Sequence, residues 1–173
     1  QAEVALGWAR WQRGDKLRGA EEIQNGIDRW DSIGARIGDS HRQAALATAL
    51  AGLGKSAEAW KATRRGVAHA QTTGEVIFYP EAKRVEGDMY LVLEGDIEAA
   101  IACYESAISA ARDMGTRWWE LRATVPHARL MHKLGHVEDA LRELRLIYGW
   151  FTEGLHLPDL LEARELLAEL EAA

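Results

Sequence analysis

Apolar residues recur along the chain at intervals of three and four. Ile97, Ala100, Ile101, Tyr104, Ala107, Ile108 and Ala111 form one such run, and Val137, Ala140, Leu141, Leu144, Ile147, Tyr148 and Phe151 another. This is the signature of one face of an α-helix, which brings i, i+3, i+4 and i+7 to the same side. Glycines punctuate the runs. Gly14, Gly54, Gly95 and Gly135 stand 40, 41 and 40 residues apart, and Gly34, Gly74, Gly115 and Gly154 follow them at offsets of 20, 20, 20 and 19. Two interleaved sets in near-constant phase mark an internal repeat. Each unit reads as helix, glycine turn, helix, glycine turn, since glycine accepts the left-handed backbone that helix C-termini commonly require.

Small residues recur where paired helices must approach. Seven residues before each first glycine stands Gly7, Ala47, Asp88 or Ala128; five after it stands Gly19, Ala59, Ala100 or Ala140; twelve after it stands Gly26, Gly66, Ala107 or Ile147. Asp88 and Ile147 depart from the pattern, and Gly87 is the alternative close-contact residue of the third unit. The arrangement resembles a tetratricopeptide repeat, with a unit of about 40 residues and a second helix about one and a half turns longer than usual. The expected fold is all-α, a right-handed α-solenoid of four tetratricopeptide-like helix-turn-helix repeats over about 1–35, 36–75, 76–116 and 117–155. A capping helix over about 158–171 follows, with Leu160, Leu161, Ala163, Leu166, Leu167 and Leu170 on its apolar face and Glu162, Arg164, Glu165, Glu169 and Glu171 outward. A polar-backed end is what a solenoid needs for solubility. Residues 1–173 thus read as a single repeat domain. Gln1 opens directly inside a helical pattern without a cap, so the chain is expected to be a fragment of a larger protein.

Composition narrows the function classes. The net charge is −6, with both signs interspersed, and the one weakly basic stretch, Lys61, Arg64 and Arg65, fits a solvated helix face. Nucleic-acid binding, which calls for a concentrated positive stripe, is disfavoured. Cys103 is the single cysteine, which excludes an internal disulfide and fits a reducing, cytoplasmic setting. No apolar run is long enough to span a bilayer.

Candidate chemistry is sparse. Gly54-Lys55-Ser56 ends like a phosphate-binding loop, but position 49 is Ala where the pattern requires Gly, and no strand precedes it. His127, His132 and His136 do not share a helix face and lack a completing Cys or carboxylate, so no metal is expected. Cys103 reads as a small core residue. The acid pairs Glu21/Glu22 and Glu162/Glu165/Glu169 follow solvated faces. No catalytic residue and no cofactor is expected.

The last third carries a more specific resemblance. Trp118-Trp119-Glu120-Leu121-Arg122-Ala123, Tyr148-Gly149-Trp150-Phe151-Thr152-Glu153-Gly154, Asp159-Leu160 and Glu162-Ala163, with Glu81, Arg84 and Gly87 before them, resemble the C-terminal repeat region of bacterial multidomain proteins. These carry an adenylate/guanylate cyclase or transcription-activator domain at the N-terminus and a signalling ATPase domain in the middle. The resemblance implies a module that senses a ligand or partner and regulates the rest of its parent. Glu75-Val76-Ile77-Phe78-Tyr79-Pro80 departs from the pattern, so the start of repeat three is expected to be irregular.

The concave groove of such repeats is lined by fixed positions of each first helix. In this register these are Val4, Trp8, Trp11 and Gln12; His41, Ala44 and Thr48; Val85, Met89 and Val92; and Arg122, Arg129, His132 and Lys133. Trp30, Trp60, Trp118, Trp119 and Trp150 are expected mainly in the core. The groove would be aromatic at one end and basic at the other, suiting a peptide with an anchor residue and an acidic or carboxylate group. The expected function is a non-catalytic protein-interaction and regulatory module of a signalling protein, binding a peptide or a domain of its own parent. Self-association as a homodimer is the alternative, and a small-molecule or enzymatic site a third reading, favoured only by an apolar pocket with clustered titratable groups.

Overall fold

The computed structural model describes residues 2–173; Gln1, the first residue of repeat one in the sequence reading, lies outside them. Among the described residues the chain forms nine α-helices and no strand. Helices α1 (Ala2–Gln12) and α2 (Lys16–Ser32) make the first pair, α3 (Asp39–Ala51) and α4 (Ser56–Thr73) the second. Helices α5 (Tyr79–Met89) and α6 (Ile97–Asp113) make the third, α7 (Arg117–Lys133) and α8 (Val137–Tyr148) the fourth, and α9 (Pro158–Glu171) follows alone. Partners within the first three pairs share the most extensive contacts, whereas α7 packs on α6 as extensively as on its own partner α8. The first helices of successive pairs also touch one another, α1 with α3, α3 with α5 and α5 with α7, so they form one continuous face.

All eight glycines of the two periodic sets have positive φ, between 66° and 97°. The small residues act where expected. A Cβ on Gly19 would lie 2.6 Å from the Trp11 backbone nitrogen, and one on Gly26 2.7 Å from Val4 Cγ2. Ala47, Ala59, Ala128 and Ala140 are essentially fully buried. The long second helices, 17, 18 and 17 residues in the first three repeats, carry part of the length beyond the usual unit of about 34 residues.

Repeat three differs from the others in the geometry of its first helix. Helix α5 continues into a π-helical turn over Tyr90–Glu94. A π turn accommodates one residue more than the α-helix it interrupts, and so absorbs the extra residue in the 41-residue glycine spacing. Consequently Gly87, not Asp88, makes the close contact: a Cβ there would lie 2.7 Å from Tyr104 Cε1 and 3.1 Å from the Ala100 carbonyl. The start of this repeat is irregular, as its sequence suggested: a 3-10 turn over Val76–Phe78 leads into α5, with Pro80 in the first helical turn.

In repeat four, Ile147 replaces the usual small residue because its neighbour is α9. Ile147, Leu144 and Leu121 pack with Leu160, Ala163, Leu166, Leu167 and Leu170 of α9. Each leucine so buried contributes on the order of 2 kcal/mol. Glu162, Arg164, Glu165, Glu169 and Glu171 are exposed on its outer side.

Candidate functional site

A cavity of about 520 Å³ opens on the face shared by the first helices. Its walls come from every repeat: Val4, Ala5 and Trp8 of α1; His41, Arg42, Ala44, Ala45 and Thr48 of α3; Phe78 before α5, and Glu81 and Arg84 on it; and Trp118, Trp119 and Arg122 of α7. Asp159 of α9 closes one side. The aromatic part is a mutually packed set. His41 lies 5.2 Å from Phe78 and 5.9 Å from Trp119, ring centre to ring centre, and Phe78 meets Trp119 edge-on at 6.1 Å. His41 is exposed along its cavity edge. Crowding of its ring by these neighbours nevertheless lowers its pKa, and the Arg122 and Arg42 charges push the same way against Glu81. The imidazole is therefore neutral near pH 7.

Beside the aromatic wall lies a relay of ion pairs. The Glu81 carboxylate accepts from Arg84 Nε (2.9 Å) and Nη2 (2.8 Å) and from Arg122 Nε (3.2 Å) and Nη2 (2.8 Å). Arg122 Nη1 donates to both oxygens of Asp159 at 3.1 and 3.0 Å. Arg84 Nη1 donates to Asp88 at 2.5 Å, and the Tyr104 hydroxyl donates to the other Asp88 oxygen at 2.8 Å. The chain of contacts thus runs from α6 through α5 and α7 to α9. Burial alone would raise the pKa of Glu81, but the two guanidinium groups outweigh it and hold the carboxyl well below its usual range. Asp88 goes the other way: burial raises its pKa despite Arg84 and Tyr104.

Arg42, on the opposite wall, is almost wholly buried. Its Nη1 donates to the Ile37 carbonyl at 2.5 Å, and its guanidinium lies 4.6 Å from the centre of the Trp30 ring. Its Nε and Nη2 have no hydrogen-bond acceptor, and the nearest carboxylate oxygen to Nη2, on Asp39, is 3.5 Å away. Phe78 is set in place by the residue three before it. Glu75 reaches back to the start of α3, where its carboxylate accepts from the Gly38 backbone N–H and from the Ser40 hydroxyl (2.8 Å). Burial acts against the Glu75 charge, but these donors win and its pKa is lowered.

The residues assigned to the groove from the sequence fall into three groups. Trp8, His41, Thr48 and Arg122 border the cavity. Trp11, Gln12, Arg129, His132 and Lys133 do not. Trp11 stacks on Trp8 at 5.1 Å and lies against Gly52, its indole N–H buried without a partner. Gln12 and Lys133 are exposed and His132 half-buried, while Arg129 pairs with Glu162 at 2.9 Å on a neighbouring polar recess. Met89 requires correction. It is 2 % exposed and belongs to the core with Val85, because the π turn shifts the register of α5 by one position. Counting thirteen, ten and six residues back from the turn glycine gives His41, Ala44 and Thr48 in repeat two and Arg122, Val125 and Arg129 in repeat four. With the extra residue counted, repeat three supplies Glu81, Arg84 and Asp88. Of the four residues of the expected basic end, Arg122 and Arg129 are held by carboxylates. Trp119 lines the cavity, Trp118 both borders it and packs against the core of repeat four, and Trp150 is 60 % exposed.

Other candidate groups are structural in placement. Gly54 is a helix-ending turn glycine. Arg65 of the weakly basic stretch is spent on Asp31 and Asp39 at 2.7 and 2.9 Å. Buried His127 shares a 3.1 Å contact with Glu143, and among the described residues no three His, Cys, Asp or Glu side chains are grouped to hold a metal ion. No helix is long and apolar enough to cross a membrane among those residues.

No family model and no curated protein matches the chain. Solved structures do. Crystal structures of the nearly identical TPR-like repeats of a kinesin light chain protein from Podosopora anserina superpose on 99 % of this chain and 84 % of theirs. The TM-score is 0.67 at 18 % sequence identity, and 0.69 at 17 % for a point variant of the same repeats. The fold is a TPR-like helical repeat. At that identity the likeness speaks for the TPR-like architecture alone.

Proposed function

We propose that this TPR-like stack is a non-catalytic interaction and regulatory module whose concave face receives a segment of a partner protein, with an apolar side chain seated in the cavity. The observation that carries the reading is that one apolar cavity gathers walls from all four repeats and α9, since a stack of helices that served only as a spacer would gain nothing from open aromatic faces there. The tryptophan-rich wall is the type of surface that dominates binding energy at interfaces. The resemblance of the Trp118–Ala123 and Tyr148–Gly154 stretches to bacterial cyclase and activator proteins supports a place in a signalling chain, in the cytoplasm, with another domain of the same parent as the partner. Glu81 and Arg84, which that resemblance also singled out, sit at the centre of the cavity's ion-pair relay.

A displayed random-peptide library selected on the wild-type chain tests the reading. Thr48→Trp fills the cavity from the middle of α3, where Thr48 is half-buried. Selected peptides should bind this variant at least tenfold more weakly. Peptides that bind both forms equally would place recognition elsewhere on the molecule.

A further inference from the structure

Three guanidinium groups, of Arg42, Arg84 and Arg122, border the cavity, and each faces a carboxylate: Arg42 that of Asp39, Arg84 those of Glu81 and Asp88, Arg122 those of Glu81 and Asp159. Arg42 brings two nitrogens without acceptors. Arg122 is the most accessible of the three, with its side chain 24 % exposed, and it divides its donors between deeply held Glu81 and outer Asp159, itself 27 % exposed. The guanidinium also lies 5.8 Å from the centre of the Trp119 ring, so a cationic donor and an aromatic wall meet at one point. The volume falls in the range of small-molecule sites, about 300–1,000 Å³.

We infer that the cavity binds a small free aromatic acid, a planar ring carrying one carboxylate, which regulates the partner site by occupying it. The ring enters among Trp8, Phe78 and Trp119, where edge-to-face and offset contacts are available. The carboxylate takes the Arg122 Nη1 N–H groups now held by Asp159 in a charge-assisted contact, while Nε and Nη2 stay on Glu81. Asp159 gives way at little cost: it lies in the first turn of α9, where the helix dipole and water stabilise the released charge. Glu81 stays in place, held by Arg84. A neutral ring lacks the second half of this interaction, and a cation in the same pose would be set against the Arg122 guanidinium. The inference rests on the concave face being the recognition surface, but not on the identity of the partner.

Titration calorimetry on the whole chain with three indole probes tests it. Indole-3-acetate, indole-3-acetamide and tryptamine share a ring and differ in charge. The acetate should bind at least tenfold more tightly than the acetamide, and tryptamine most weakly. Trp119→Leu should abolish binding of the acetate and the acetamide alike. Asp159→Asn should tighten the acetate several-fold and leave the acetamide unchanged, an outcome that a purely structural role for Asp159 does not produce. Equal affinity for acetate and acetamide, tighter binding of tryptamine, absence of binding by all three, or weakening of the acetate by Asp159→Asn overturns the proposal. So does binding of a capped Gly-Ala-Trp peptide acid where free indole-3-acetate fails; that result leaves the partner-segment reading standing. Conversely, peptides indifferent to Thr48→Trp, together with acetate-selective binding, would remove the partner reading and keep the acid site.

Discussion

Glu81→Gln tests the ion-pair relay at its centre. The carboxylate accepts four hydrogen bonds from two arginines at 2.8–3.2 Å and is 6 % exposed. The amide keeps one acceptor oxygen, turns an NH2 group toward a guanidinium, and leaves Arg84 and Arg122 facing each other without an intervening charge. Removing one partner of a buried ion pair costs about 3–5 kcal/mol. Arg84 retains Asp88, and Arg122 retains Asp159 and some water, so the lower end applies, about 3 kcal/mol. With a urea slope of about 2 kcal/mol per molar, the unfolding midpoint should fall by about 1.5 M. Circular dichroism across a urea series at neutral pH reads this directly. A second measurement separates charge from shape. The Glu81 pKa is depressed from an ordinary 4.5, so its contribution is fully present above that value and is lost as pH falls below it. The gap between wild type and variant should therefore narrow from about pH 5 downward. A midpoint shift below about 0.5 M, or a gap that stays constant through the acid range, would refute the reasoning.

Gly19→Ala should force α1 and α2 apart, because the methyl would stand 2.6 Å from the Trp11 nitrogen; the expected loss is about 1–3 kcal/mol by calorimetry, and an unchanged melting temperature would contradict the close-approach account. Glu75→Gln should cost about 1 kcal/mol, like the loss of a helix cap, and speed amide exchange at Gly38 and Ser40; since the Glu75 pKa is lowered, its stabilisation is present above the ordinary carboxylate value and fades as pH drops below it. Leu166→Ala, at a site 1 % exposed under α9, should cost about 2–5 kcal/mol in urea titrations. Deleting Val92, which is 69 % exposed in the π turn, should change stability by no more than on the order of 1 kcal/mol, because the shortened helix reverts to ordinary α geometry; cooperative unfolding lost on this deletion would show that the turn is not a simple one-residue insertion.

Much of the architecture is legible in the residues. Glycine phase locates all eight turns because only a residue without a side chain sits comfortably at their φ, and the apolar face of α9 follows from period alone. The site is legible only in part. Trp8, His41, Thr48 and Arg122 are found by counting from the turns, since repeats of equal length present equal positions to one face. The same count misplaces Met89 and Val85, and overlooks Glu81 and Arg84, because a π turn is a hydrogen-bonding choice that no residue type announces. The signals that were available are the 41-residue spacing and the shift from Asp88 to Gly87; together they fix the corrected register. Phe78, Trp118 and Asp159 come from outside the counted positions, and only folding brings them to the cavity. The pairing of Arg122 with Asp159 and of Arg129 with Glu162 is equally invisible in a charge count along the chain.

The relay from Tyr104 through Asp88, Arg84, Glu81 and Arg122 to Asp159 also has a mechanical meaning. It ties repeat three, repeat four and α9 together on the side that carries the cavity, so these ion pairs resist any motion that draws those elements apart there. A molecule that draws Arg122 away from Asp159 would undo the outermost of these ties while the leucines of α9 keep that helix seated on repeat four.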